Sequence, residues 1–191
     1  MSQGLRGTRG QVYVEHRAIP VEVACEAGVR YIDDFGGRSA VVVALYDNQD
    51  RLASLHGRYL EVSRGQDKML TVGPGGGVIN LLGGWRTEPL IIVEGLFDGL
   101  SLAFCGIACV ATIGRWVHWI PDVAAGREVW LAFDRSRSGD TEALSYSARM
   151  FRSSIRRMLP PGQCKDWNTG LVKRGPAAVT RAIRMSLNGA K

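Results

Sequence analysis

The sequence predicts an α/β protein, a parallel sheet flanked by helices with a small N-terminal α+β lobe. Three observations predict it. In residues 88–172, short β-branched apolar runs alternate with segments of helical spacing, the rhythm of βαβ units. In residues 1–87, apolar runs return on themselves across a polar turn, the rhythm of a hairpin. The Gly- and Pro-rich stretches Gly73-Pro74-Gly75-Gly76-Gly77 and Gly83-Gly84, with Pro89 beyond, mark a seam between the two. The expected divisions are 1–87, 88–172 and a helical tail over 173–191.

Composition bounds the class. The chain has 191 residues, 46% hydrophobic and 22% charged, which suits a soluble globular protein with a real core and excludes extended disorder. No apolar run approaches the roughly 20 residues that span a bilayer, and the polar start lacks the apolar segment of a secretory signal. A cytoplasmic location without a membrane partner is expected. Lys and Arg total 24 against 18 Asp and Glu, a net charge of +6, which suits an acidic partner such as nucleic acid. Cys25, Cys105, Cys109 and Cys164 lack zinc-site spacing and read as free thiols.

The N-terminal lobe opens with a short helix over residues 11–17. Pro20 then starts a second helix over 21–27, with Gly28 closing it. Residues 39–46 (SAVVVALY) form a buried strand, Asp47 to Asp50 a turn, and residues 51–62 a returning strand. Residues 69–72 and 77–82 add short strands. In the C-terminal lobe, strands are expected at 90–93, 109–113 and 128–133. Between them, helices are expected over 97–105 and 116–125, and a long one over 139–158. Phe97, Leu100 and Phe104 share one face of the first helix.

Side chains with chemistry gather at the carboxyl ends of strands in such sheets. Here those ends are acidic. Glu94 ends one strand, Asp98 follows one helical turn later, and Asp134 ends another. Glu94 and Asp134 lie 40 residues apart, the length of two βα units, so their strands can be neighbours. Carboxylates converging there would repel unless a cation neutralised them. Oxygen donors of this kind favour Mg²⁺, as in phosphoryl or nucleotidyl transfer. An Asp after a strand also serves as a helix cap, and Glu-Gly also ends strands, so spacing alone leaves both readings open.

These residues resemble a known family. Glu94-Gly95-Leu96-Phe97-Asp98-Gly99-Leu100-Ser101-Leu102, followed by Gly106 and Val110-Ala111-Thr112-Ile113-Gly114, is similar to the first motif of a Toprim domain. Leu131-Ala132-Phe133-Asp134-Arg135-Ser136-Arg137-Ser138-Gly139-Asp140 resembles its Asp-x-Asp-x-x-Gly element, and Lys165-Asp166-Trp167-Asn168 a further acidic element. More loosely, residues 13–28, the strand Leu55-His56-Gly57-Arg58-Tyr59-Leu60 and Lys68-Met69-Leu70 resemble the catalytic core of bacterial and phage-type DNA primases.

The resemblance implies a Rossmann-like Toprim sheet and a nucleotidyltransferase that makes RNA primers from NTPs on single-stranded DNA, in replication of the phage or plasmid type. It implies Glu94 as general acid/base or metal organiser, Asp98 and Asp134 as further catalytic and metal residues, and Asp166 in an outer acidic set. Arg58 and Lys68 would contact phosphates of template or nucleotide, with Arg135, Arg137 and Lys165 as further nucleotide contacts. The implied cofactor is Mg²⁺ or Mn²⁺, and the implied partner a replication protein such as a helicase. The sequence departs from the pattern at Ser136, which stands where the second Asp of Asp-x-Asp belongs, between two arginines, and at Asn168, where a second acid can occur. Those departures imply weak metal binding, or a site turned to phosphate binding: a non-catalytic replication accessory protein. A small Toprim nuclease is the third reading. Asp140 reads as a helix cap.

Trp130 reads as core, Trp116 and Trp119 as packing on the sheet, and Trp167 as the tryptophan best exposed near the site. Arg149, Arg152 and Arg156 fall on one face of the expected long helix, either a solvated face or a phosphate-tracking stripe.

Overall fold

The computed structural model describes residues 2–189 and divides at Ile79/Asn80 into two compact units. The first holds β1 (Ser2–Gln3), α1 (Arg9–Glu15), α2 (Val21–Glu26), β2 (Arg30–Ile32), β3 (Ala40–Tyr46), β4 (Leu52–Tyr59) and β5 (Met69–Val72). Its five strands form one antiparallel sheet in sequential order. Thr8 caps α1 by accepting the Gln11 N–H. Pro20 precedes α2, and Gly28 leaves it at φ 78. The Asp47 carboxylate fixes the β3–β4 turn by accepting the N–H groups of Gln49 and Arg51. Gly57 is required on β4 because a β-carbon there would lie 2.4 Å from the Phe35 ring. That ring packs with Ala40, Val42 and Tyr59.

The second unit begins within β6 (Ile79–Leu81). It continues through β7 (Leu90–Val93), α3 (Leu96–Phe104), β8 (Cys109–Ala111), α4 (Ile120–Ala124), β9 (Glu128–Leu131), α5 (Arg137–Arg149), β10 (Ser154–Arg157) and α6 (Trp167–Asn188). The sheet order is β10-β9-β7-β8-β6, with β10/β9, β9/β7 and β7/β8 parallel. All four residues of β7 are buried, as expected of a central strand covered on both faces. This is the parallel sheet with flanking helices that the sequence predicts.

Four expectations are corrected. The helix over 139–158 is two elements: α5 stops at Arg149, and residues 154–157 form the edge strand β10. Backbone pairing drives the change, with Ser154 N–H donating to Arg127 O and Met158 N–H to Leu131 O. Arg149, Arg152 and Arg156 therefore share no helical face. Arg149 stacks on Trp116, with 4.6 Å to the ring centroid, and Arg156 pairs with Glu128 at 3.0 Å. The helix over 116–125 shrinks to Ile120–Ala124. Trp167 is fully buried rather than exposed, and its indole N–H donates to Ala132 O at 2.9 Å. α6 runs through the 172/173 boundary and kinks at Gly175-Pro176. No helix among the described residues is long and apolar enough to cross a membrane.

Candidate functional site

The parallel pairing of β7 and β9 sets the site. Ile92 lies beside Leu131, so both strands deliver their next residues to one carboxyl edge. β7 runs out into Glu94 and β9 into Asp134. β8 borders the same edge: Gly114 N–H donates to Glu94 O at 3.0 Å. A β-carbon on Gly114 would lie 3.6 Å from Glu94 Oε1. Asp98 stands in the first turn of α3, which starts at this edge.

Asp98 and Asp166 together hold the start of α6. Asp98 Oδ1 accepts the N–H groups of Trp167 at 2.9 Å and Asn168 at 3.1 Å. Asp166 is the N-cap, its Oδ1 accepting Thr169 N–H at 2.6 Å. Two carboxylates at a helix N-terminus satisfy amides that have no partner within the helix. Asn168 is buried, and its side-chain amide donates to Ser101 Oγ.

The carboxylates are electrostatically coupled. Burial pushes Asp98 up to about 7, with the charges of Asp166 and Asp134 adding to it. Asp98 keeps some accessible surface, but the protein mass around it is what withholds solvation from its charge. Glu94 is raised by burial, then by Asp134 and Glu142. Asp134 is raised by burial, then by Asp166. Lys165 and Arg157 counter the repulsion at Glu94 and Asp134. Lys165 Nζ lies 3.7 Å from Asp134 Oδ2, with its side chain 68% exposed, an ion pair of little strength. Among the described residues, no three His, Cys, Asp or Glu side chains stand close enough to hold one ion together. The donor set fits a hard, largely hydrated divalent ion held by one or two carboxylates, as Mg²⁺ is commonly held. It does not form a closed cage.

The turn after β9 explains the departure at Ser136. Ser136 is the N-cap of α5, its Oγ accepting Gly139 N–H at 3.0 Å. Asp140, expected to cap, sits in the first turn instead and pairs with Arg157 at 3.3 Å. The glycine of the motif has a steric reason: a β-carbon at Gly139 would lie 2.1 Å from Asp134 O. The Arg135 side chain is half-buried and donates to Pro160 O at 2.8 Å, whereas Arg137 is exposed.

Arg58 and Lys68 lie in the first unit at neighbouring strand positions. Arg58 pairs with Met69 in the β4–β5 register, and Tyr59 N–H donates to Lys68 O. Arg58 is half-buried, with its Nε enclosed and without a hydrogen-bond partner, and Lys68 is exposed. Sequence reasoning missed two groups that act on the acidic edge, Glu142 and Arg157. Nothing in the local pattern announces Glu142, and Arg157 falls within the span expected as one long helix.

Residues 91–171 match the Toprim-like family. No curated protein matches the chain by sequence. Several solved structures match it in fold. The DnaG primase catalytic domain bound to ssDNA superposes with a TM-score of 0.73 at 21% identity, covering 97% of this chain and 75% of that one. The Aquifex aeolicus primase, comprising zinc-binding and RNA polymerase domains, gives 0.71 at 18%, covering 96% and 57%. The E. coli primase catalytic core gives 0.67 at 20%, covering 94% and 75%. The chain thus spans little more than half of the Aquifex protein and three quarters of the other two. Residues 91–171 are thus similar to the Toprim-like family, and the fold of the chain is that of the DnaG-type primase catalytic cores.

Proposed function

We propose that this chain is a primase-like Toprim protein that joins ribonucleotides on single-stranded DNA with Mg²⁺ or Mn²⁺, in replication of the phage or plasmid type. One observation carries the reading: Glu94 and Asp134 leave adjacent parallel strands at one carboxyl edge. The fold supports it, and so do the partners of similar structures. A DnaG catalytic domain is bound to ssDNA, and phage T7 primase domains to an RNA/DNA hybrid. The T7 primase belongs to a primase-helicase protein, which makes a helicase a reasonable replication partner.

In this reading, Glu94 accepts the proton of the primer 3′-hydroxyl at a carboxylate oxygen. Glu94 and Asp134 would hold the divalent ion, which when bound neutralises charge on the α-phosphate and the departing pyrophosphate. Arg137 and Lys165 orient the triphosphate, with Arg135 beside them. Arg58 and Lys68 contact phosphates of template or nucleotide. Asp98 and Asp166 keep α6 seated behind the site.

A second reading has an observation of its own. Ser136 Oγ is committed to capping α5, and Asp98 Oδ1 to two α6 amides, so fewer donors remain for an ion than in a full Asp-x-Asp site. That favours a nucleic-acid-binding accessory protein. Labelled NTPs on single-stranded DNA separate the two. Primers made with Mg²⁺ or Mn²⁺ support the first, and DNA binding without product supports the second. Template cleavage without NTPs would favour a nuclease over both.

A further inference from the structure

The turn that presents Asp134 is fastened by a cation from the edge strand. Arg157 lies on β10 beside Leu131 of β9. Its Nη1 donates to Leu131 O at 3.1 Å, Phe133 O at 2.7 Å and Met158 O at 3.1 Å. Its Nη2 donates to Asp134 O at 2.6 Å and Asp140 Oδ1 at 3.3 Å. The guanidinium therefore spans the end of β9, the backbone of Asp134 and the first turn of α5. Its side chain is 23% exposed. Only a planar fork of donors can reach carbonyls on both sides of a turn; a lysine ammonium is a single point of charge.

The same turn lacks one negative charge, because Ser136 replaces an acid. An Asp-x-Asp turn needs a cation to offset its two carboxylates. Here one acid is gone and a fixed guanidinium is present. Resting on the reading of this edge as the Toprim site, we propose that Arg157 is a positioning residue that shapes and neutralises the Asp134 turn, a task otherwise left to the bound divalent ion. The Asp134 turn would then hold its shape before any ion or nucleotide arrives, with a positive charge beside the ion site that opposes ion binding.

Arg157→Met and Arg157→Lys in the full chain test this, read by amide exchange over residues 134–140 and by Mn²⁺ binding in electron paramagnetic resonance. In the wild type, exchange should be slow in EDTA and unchanged by Mg²⁺. In Arg157→Met it should quicken about tenfold or more in EDTA, as a locally opened turn does, and slow again with Mg²⁺. Mn²⁺ should bind Arg157→Met about tenfold more tightly, because a nearby positive charge has gone. Arg157→Lys keeps that charge, so its Mn²⁺ affinity should stay at the wild-type value while its exchange quickens. If Arg157→Met does not fold, Arg157→Lys carries the exchange test alone. Unchanged exchange in a folded variant would overturn the proposal, as would weaker Mn²⁺ binding by Arg157→Met. Neither readout needs primer synthesis, so an inactive wild type would defeat the primase reading and leave this result interpretable.

Discussion

Replacing Asp98 by asparagine should stabilise the protein at pH 8 and leave it unchanged at pH 4. In the folded chain this carboxyl keeps its proton up to about 7, against an ordinary value of 3.8. The folded state therefore binds more protons than the unfolded state between about pH 4 and 7, and stability falls as pH rises through that window. At about 1.36 kcal/mol per pH unit, the rise corresponds to about 4 kcal/mol, or about 2 kcal/mol where residual solvent contact screens the charge. Asparagine keeps an oxygen to accept the Trp167 and Asn168 amides and carries no charge. Alanine removes the acceptor and should cost about 1–3 kcal/mol for the amides left without a partner. Urea unfolding from pH 4 to 9 reads the effect directly. Wild-type stability should decline toward pH 8, the asparagine variant should lack that decline, and the alanine variant should be the least stable at pH 4. Parallel wild-type and Asp98→Asn profiles would refute the reasoning, as would loss of stability in Asp98→Asn at pH 8.

Other expectations follow from the β9–α5 turn and the first unit. Ser136→Ala should lose about 1 kcal/mol in urea unfolding, the usual worth of an N-cap. Ser136→Asp should keep the cap, restore the missing acid and tighten Mn²⁺ binding about tenfold; unaltered affinity would argue against a metal site at this edge. Gly139→Ala should cost about 1–3 kcal/mol, because its β-carbon would meet Asp134 O at 2.1 Å. A neutral result in calorimetry would contradict that packing. Arg58→Ala combined with Lys68→Ala should reduce the log–log salt slope of single-stranded DNA binding by about 1.4, two phosphate contacts at about 0.7 each. An unchanged slope would remove both residues from the DNA interface.

Some of this architecture is legible in the residues. β7 and β9 are short apolar runs, each closing on an acid, and the distance between Glu94 and Asp134 suits neighbouring parallel strands. The β3–β4 hairpin is equally plain, from SAVVVALY and the Asp47 turn. β10 was hidden because its four residues, Ser-Ile-Arg-Arg, carry almost no apolar signal. Its Arg157 is drawn inward by carbonyls that only the folded chain assembles. Trp167 looked exposed because its neighbours Lys165 and Asp166 are charged, whereas its indole N–H has a carbonyl partner deep in the second unit. Ser136 could be identified as a departure from sequence, but its capping role depends on the direction of the Gly139 amide.

Ribonucleotide incorporation on a single-stranded template by wild type, Glu94→Gln, Asp134→Asn and the double variant tests most directly whether the two strand ends make one site. Groups acting as a unit lose their effect together. Each single substitution should reduce the rate by about a hundredfold or more, and the double variant should be no slower than the worse single one. Full activity in either single variant, or independent losses that multiply in the double one, would contradict the account.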